Sequence, residues 1–159
     1  MAKQELQIRA EDGTATAAAF RPEIVRTLGK QPGVILYMDA FGLRPALDAM
    51  AERLARAGYL VLVPDLFYRY GAYGPFDAKS AFSTPGIGDQ IMSMIRGTTQ
   101  DMTRRDSASF IEALTAAGAD GRIGVVGYCM GGGRAITAAA AFPDRIAGGG
   151  EHPWRRARR

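Results

Sequence analysis

Apolar residues follow two different rhythms along this chain. Near the start the period is two. Leu6 and Ile8 alternate with polar neighbours across Glu5 to Arg9, as in an antiparallel strand with one face on a core. Glu11-Asp12-Gly13 is a turn signal, and Thr14 to Phe20 reads as a returning strand, although alanine is a poor strand former. The two predict an opening hairpin. Beyond it come continuous apolar runs, Gly33 to Met38, Tyr59 to Val63 and Ile123 to Val126, which predict strands buried on both faces.

Between these runs the period lengthens. Pro45 opens a helix with Leu47, Met50, Leu54 and Ala57 on one stripe and Gly58 as its stop. Asp101 to Ala117 carries Phe110, Ile111, Leu114 and Ala117 at helical spacing, ended by Gly118, and Gly131 to Phe142 is an alanine-rich helix stopped by Pro143. Strands alternating with helices predict an α/β domain, a three-layer sandwich around a mostly parallel sheet. From Arg69 to Thr99 glycine and proline break the pattern, with room for a short helix over Ile87 to Ile95. So long an excursion is either a cap over a pocket or a surface loop. Phe142 to Ala147 looks like a helix stop entering a strand, but Gly148 to Arg159 is too rich in glycine, proline and arginine to continue it. The expected organisation is therefore one incomplete domain over residues 1–147 and an aberrant tail over 148–159. The tail reads as the end of a truncated or frameshifted chain, or as a basic peptide for an acidic partner.

Composition narrows the function classes. A hydrophobic content of 47% excludes a disordered chain. No apolar run approaches the roughly 18 residues of a membrane helix, the N-terminus lacks the apolar centre of a signal peptide, and a single cysteine forms no internal disulfide. A cytoplasmic location without membrane contact is the expectation. Of the formal charge of +4, residues 151–159 supply +3. The body is nearly neutral, which argues against nucleic acid as a partner.

The chemistry concentrates in Gly127-Tyr128-Cys129-Met130-Gly131, followed by Gly132 and Gly133. It lies between a buried strand and a helix, the context of the Gly-x-Ser-x-Gly nucleophile elbow with sulfur in place of oxygen. So tight a turn leaves no space for side chains two residues before and two after the nucleophile, and glycine stands at both places. The thiol is then presented at a helix N-terminus, where unpaired N–H groups and the helix dipole favour anions. Free cysteine is otherwise commonly a buried structural residue. Gly127, Gly131 and Gly133 also fit the glycine loop of an NAD(P)-binding short-chain dehydrogenase. That loop follows the first strand of its domain, whereas this one follows a third buried run.

With the elbow in place, the chain from about Gly33 to Ile146 resembles the dienelactone hydrolase family of α/β-hydrolases. The resemblance is carried in order by Met38-Asp39-Ala40-Phe41-Gly42, by Val63-Pro64-Asp65-Leu66-Phe67-Tyr68-Arg69 and by Gly127-Tyr128-Cys129-Met130-Gly131-Gly132. It implies hydrolysis of a lactone or small carboxylic ester by a Cys–His–Asp triad, with no cofactor and no metal. Cys129 would be the nucleophile, and the oxyanion donors would be the backbone N–H of Met130 with that of Ala40 or Phe41. Asp39 would take the place of a family glutamate that contacts the thiol, or stand as a loop or cap residue. Arg69 would bind a substrate carboxylate or face solvent, and Tyr73 and Phe76 would line the same mouth or pack in the core. The triad acid and histidine belong on later strands of such a fold. Only His152 is available, in the tail beside Pro153, so catalysis by this chain is expected to be impaired. A non-catalytic α/β module that binds a small carboxylate or a partner is the alternative.

Overall fold

The computed structural model describes residues 2–23 and 31–151. The chain runs β1 (Ala2–Ala10), β2 (Gly13–Arg21), β3 (Gly33–Tyr37), α1 (Pro45–Arg56), β4 (Leu60–Pro64), a 3-10 turn (Tyr68–Tyr70), α2 (Ile87–Gly97), α3 (Gln100–Ala116), β5 (Ile123–Gly127), α4 (Met130–Ala141) and β6 (Ile146–Glu151). The six strands form one sheet in the order β1-β2-β4-β3-β5-β6. The opening hairpin is present, with Ala10 opposite Gly13 across its turn, and β2 joins β4 antiparallel. From β4 onward every pairing is parallel.

The layers follow from strand alternation. Leu36 lies beside Met50 and Leu54 of α1, while the next residue, Tyr37, hydrogen-bonds through its hydroxyl to Ser107 of α3 at 2.7 Å. Successive side chains of a strand point to opposite faces, so α1 and α3 cover opposite sides of β3. This is the expected three-layer sandwich. β3 and β4 are buried at every position, as central strands covered on both faces must be. In β2 the run Ala17-Ala18-Ala19-Phe20 is buried throughout; small side chains suit a strand between two neighbours, and packing overrides the low intrinsic preference of alanine. Among the described residues no helix is long and apolar enough to cross a membrane.

The structure corrects one boundary. The strand entered at Ile146 does not stop at Ala147. It continues as β6 to Glu151, with Gly148, Gly149 and Gly150 opposite Gly124, Val125 and Val126 of β5. A parallel ladder is built from main-chain N–H and C=O groups, which glycine supplies as well as any residue. Ile146, buried on the core, anchors the strand, and among the described residues β6 is the sheet's outermost strand rather than a central one. His152 and the arginines after it lie outside the described residues.

An ion-pair network ties the hairpin to the helical layer. Arg69 donates to both oxygens of Asp106 on α3, at 2.8 and 3.0 Å, and its Nε donates to Asp12 at 2.8 Å. The Asp106 side chain is 1% exposed and that of Asp12 37%. Tyr68 adds a hydrogen bond to Asp106 at 3.0 Å. Removing one member of a buried pair strands the other, at a cost of about 3–5 kcal/mol, whereas an exposed partner contributes under about 1 kcal/mol. Asp106→Ala should therefore lower stability in urea unfolding by about 3 kcal/mol, and Asp12→Ala by less than about 1 kcal/mol. Equal losses would show that Asp106 is not the principal partner.

Candidate active site

β5 ends at Gly127 and α4 begins at Met130. Cys129, at the N-cap between them, has φ 54° and ψ −121°. Among the described residues it is the one non-glycine with a positive φ. Such a conformation costs on the order of 1–3 kcal/mol and persists only where its surroundings over-determine it. Here they do. A Cβ on Gly127 would lie 2.0 Å from the carbonyl oxygen of Gly131, and one on Gly131 would lie 2.4 and 2.5 Å from the carbonyl oxygens of Tyr37 and Met38. Two glycines thus let the first turn of α4 fold back on β5 and abut the end of β3. The turn is tightened by hydrogen bonds from Gly131 N–H to Tyr128 O at 2.9 Å and from Gly132 N–H to Cys129 O at 3.1 Å. Met130 heads the helix, where an N–H has no carbonyl one turn back to bond. The Cys129 residue is exposed.

The segment leaving β3 beside the elbow is the turn Asp39 to Gly42. Phe41 N–H donates to Asp39 Oδ1 at 3.0 Å, and Gly42 N–H to the Asp39 carbonyl at 3.4 Å. The Asp39 carboxylate is gripped by the guanidinium fork of Arg44, at 2.5 and 2.6 Å. Both its oxygens are engaged there, and no hydrogen bond joins it to the thiol among the described residues. Arg69 stands in the network with Asp106 and Asp12 described above, over the ring of Tyr68 at 4.5 Å.

The long excursion after Arg69 packs onto this turn. Tyr73 lies against Gly42, where a Cβ would come within 2.6 Å of its ring; Gly42 has φ 78°. The Tyr73 hydroxyl donates to Asp65 Oδ1 at 2.6 Å, and Phe67 N–H donates to the same oxygen at 2.9 Å. Phe76 stacks on Tyr73, and Phe82 meets Phe41 edge to face. The short helix expected at Ile87 to Ile95 is α2, extended to Gly97. Asp65 is largely buried, and desolvation raises its carboxyl above the ordinary range, opposed by the Tyr73 and Phe67 hydrogen bonds. Among the described residues no group of three His, Cys, Asp or Glu side chains converges as metal ligands. A groove of about 550 Å³ between α1 and the β3–β5–β6 face is lined by Leu36, Met50, Leu54, Val126 and Tyr128, and does not include Cys129.

Four partners carry no signal of their own in the sequence: Arg44, Asp65, Asp106 and Asp12. Asp65 and Asp12 lie inside recognisable segments, a family motif and a turn, with nothing to mark their partners. Arg44 sits five residues after Asp39 across a turn, a spacing with no periodic signature, and the Arg69–Asp106 pair spans 37 residues.

A mixed sheet with a parallel centre flanked by helices, with a strained residue at the strand-to-helix turn between glycines, is the architecture of an α/β-hydrolase. The chain belongs to the dienelactone hydrolase family, whose pattern matches residues 16–149. It is 30% identical over 115 residues to carboxymethylenebutenolidase 1 of Cupriavidus pinatubonensis, covering 72% of this chain and 47% of that protein. It is likewise 30% identical over 118 residues to a carboxymethylenebutenolidase of a Pseudomonas species, covering 70% and 46%. Among solved structures, a dienelactone hydrolase-like promiscuous phosphotriesterase from metagenomic libraries aligns with a TM-score of 0.63 at 26% identity, over 87% of this chain and 54% of that one. The chain spans about half the length of the curated relatives it matches.

Two outcomes follow from this geometry. Cys129 should be alkylated by iodoacetamide in the folded protein, read by peptide mass spectrometry; labelling only after unfolding would contradict its exposure. Gly127→Ala should disrupt the elbow, because the atom 2.0 Å away is backbone. It should lower the thermal midpoint far more than Gly148→Ala, where a Cβ meets nothing within 4 Å and the backbone is not left-handed; similar midpoints would refute the close approach.

Asp65 gives a third. Its folded pKa lies above its unfolded value, so at pH between the two the folded state holds more of the proton than the unfolded state does. Its contribution is fully present below the unfolded carboxyl pKa and is lost as pH rises through the raised folded value. Asp65→Asn should flatten that decline in chemical unfolding as pH rises from the ordinary carboxyl range. An unchanged pH profile would assign the decline to other groups.

Proposed function

We propose that this chain carries the nucleophile half of a hydrolase for lactones or small carboxylic esters, with Cys129 as the attacking group. The observation that carries the reading is the strained, exposed cysteine between Gly127 and Gly131, at the end of β5 and the start of α4. The names of its carboxymethylenebutenolidase relatives support the ester or lactone substrate class.

In this reading the sulfur adds to the ester carbonyl. The developing oxyanion accepts hydrogen bonds from Met130 N–H and from the turn after β3. Of the two candidates in that turn, Phe41 has its N–H directed to Asp39, which favours Ala40 as the second donor. Each such donor contributes about 3–4 kcal/mol to transition-state stabilisation. Collapse of the tetrahedral adduct expels the alcohol and leaves a thioester on Cys129, which water then cleaves. Asp39 would reach the thiol only on release from Arg44. A substrate carboxylate at Arg69 would replace Asp12, the more exposed of its two acids. Attack of water on the thioester draws on a general base, a contribution of about 10²–10⁴-fold, so the acyl group on Cys129 is the intermediate to trap.

The test is incubation of the whole chain with p-nitrophenyl acetate, followed by intact and peptide mass analysis. One acetyl group on Cys129, with slow steady release of acetate, is the expected result, and Cys129→Ala should abolish both. Acetylation confined to lysines, or equal hydrolysis by Cys129→Ala, would overturn the assignment.

A further inference from the structure

Arg134, in the second turn of α4, is a buried cation without a counter-charge among the described residues. Only 5% of the residue is exposed. Its Nη2 donates to the backbone carbonyl of Thr98, while Nε and Nη1 have no hydrogen-bond partner among the described residues. The hydroxyls of Thr98 and Thr103, residues 1% exposed, are also without partners there. Thr98 immediately precedes the N-cap of α3, Thr99, and Thr103 lies one turn into that helix. Arg134 and Thr98 thus meet where α4 packs on the start of α3, and all four unsatisfied buried polar atoms belong to α4 or to the first turns of α3 and the residue before them.

The junction is doubly positive. Arginine keeps its charge in proteins, although burial draws the Arg134 pKa below its usual value. The guanidinium also meets the N-terminal end of a 17-residue helix, where the aligned peptide dipoles add partial positive charge. The acids of α3 do not offset it. Asp106 is held by Arg69 and Tyr68, Asp101 is exposed and paired with Arg104 and Arg105, and Glu112 is exposed and paired with Arg145. A buried ion without a partner costs several kcal/mol. The unsatisfied groups are two N–H donors and two hydroxyls able to donate, the requirement for recognising an anion.

We propose that the junction of α4 with the start of α3 binds a weakly hydrated inorganic anion of chloride or bromide size, held by Arg134 Nε and Nη1 with the Thr98 and Thr103 hydroxyls. The site is separate from the thiol chemistry and does not depend on Cys129 being a nucleophile.

Bromide is the probe. In crystals of the whole chain grown with sodium bromide, an anomalous peak is expected within hydrogen-bonding distance of Arg134 Nη1. In solution, the thermal midpoint should rise with the logarithm of bromide concentration, as mass action requires for a ligand of the folded state. Sodium fluoride at matched ionic strength should give no comparable rise, and Arg134→Met should abolish the bromide dependence. Thr98→Val keeps the carbonyl and removes the hydroxyl; it should weaken bromide about tenfold, as the loss of a hydrogen bond to a charged partner would. This variant decides the matter if Arg134→Met does not fold. The proposal is overturned by an ordered water at the site, by a peak with no midpoint shift (binding at crystal concentration only), or by bromide dependence unchanged in the variants.

Discussion

Everything at the candidate site depends on one close approach, that of the first turn of α4 to the carbonyl end of β3. It is possible because residues 127 and 131 have no side chains. A Cβ on the second would sit 2.4 Å from a carbonyl oxygen of β3, well inside van der Waals contact. With both places empty, the chain reverses from strand to helix within two residues. Cys129 takes up the conformational strain, and Met130 N–H comes to the same end of the sheet as the turn Asp39 to Gly42. That turn is fixed in its own way, by the Arg44 fork on Asp39 and by Tyr73 lying across Gly42. The two halves of the site are positioned by unlike means, a steric permission on one side and a polar clamp on the other.

Much of this was legible in the sequence. The unbroken apolar runs of β3, β4 and β5 and the helical stripes of α1, α3 and α4 are local signals, and burial on both faces of a central strand forces such runs. The elbow was legible because its glycines answer a requirement of the turn itself. β6 was not, since a strand of glycines carries neither pattern nor propensity and is defined by the neighbour it pairs with. The hairpin strands begin earlier and end later than their alternating cores, because main-chain pairing outlasts the apolar pattern. The partners of Asp39 and Arg69 were hidden for a related reason. Which acid meets which arginine depends on how distant segments dock. Arg134 gave no warning at all, as one charged residue in an alanine-rich helix that packing happens to bury.

The two sides of the sheet differ in kind. On the α3 and α4 side, polar contacts are numerous and specific: Tyr37 with Ser107, Arg69 with Asp106, Arg134 with Thr98. On the α1 side, the β5 and β6 end of the sheet borders the groove lined by Leu36, Val126 and Tyr128. Register and orientation are therefore set mainly from the α3 side, where a shift of one residue would leave buried charges unmatched. An apolar face alone tolerates such slippage more readily.

The pairing of β3 with β5 has a kinetic consequence. It joins Ile35 to Val125, ninety residues apart in sequence, and contacts between such distant segments close slowly because loop entropy is lost before they are rewarded. The backbone that strains Cys129 and seats α4 against Tyr37 and Met38 has no meaning until that ladder exists. During synthesis and early collapse the cysteine is thus an ordinary flexible thiol. Its special presentation arrives late, with the closing of the sheet's centre, so the protein acquires the strained elbow only as it becomes native.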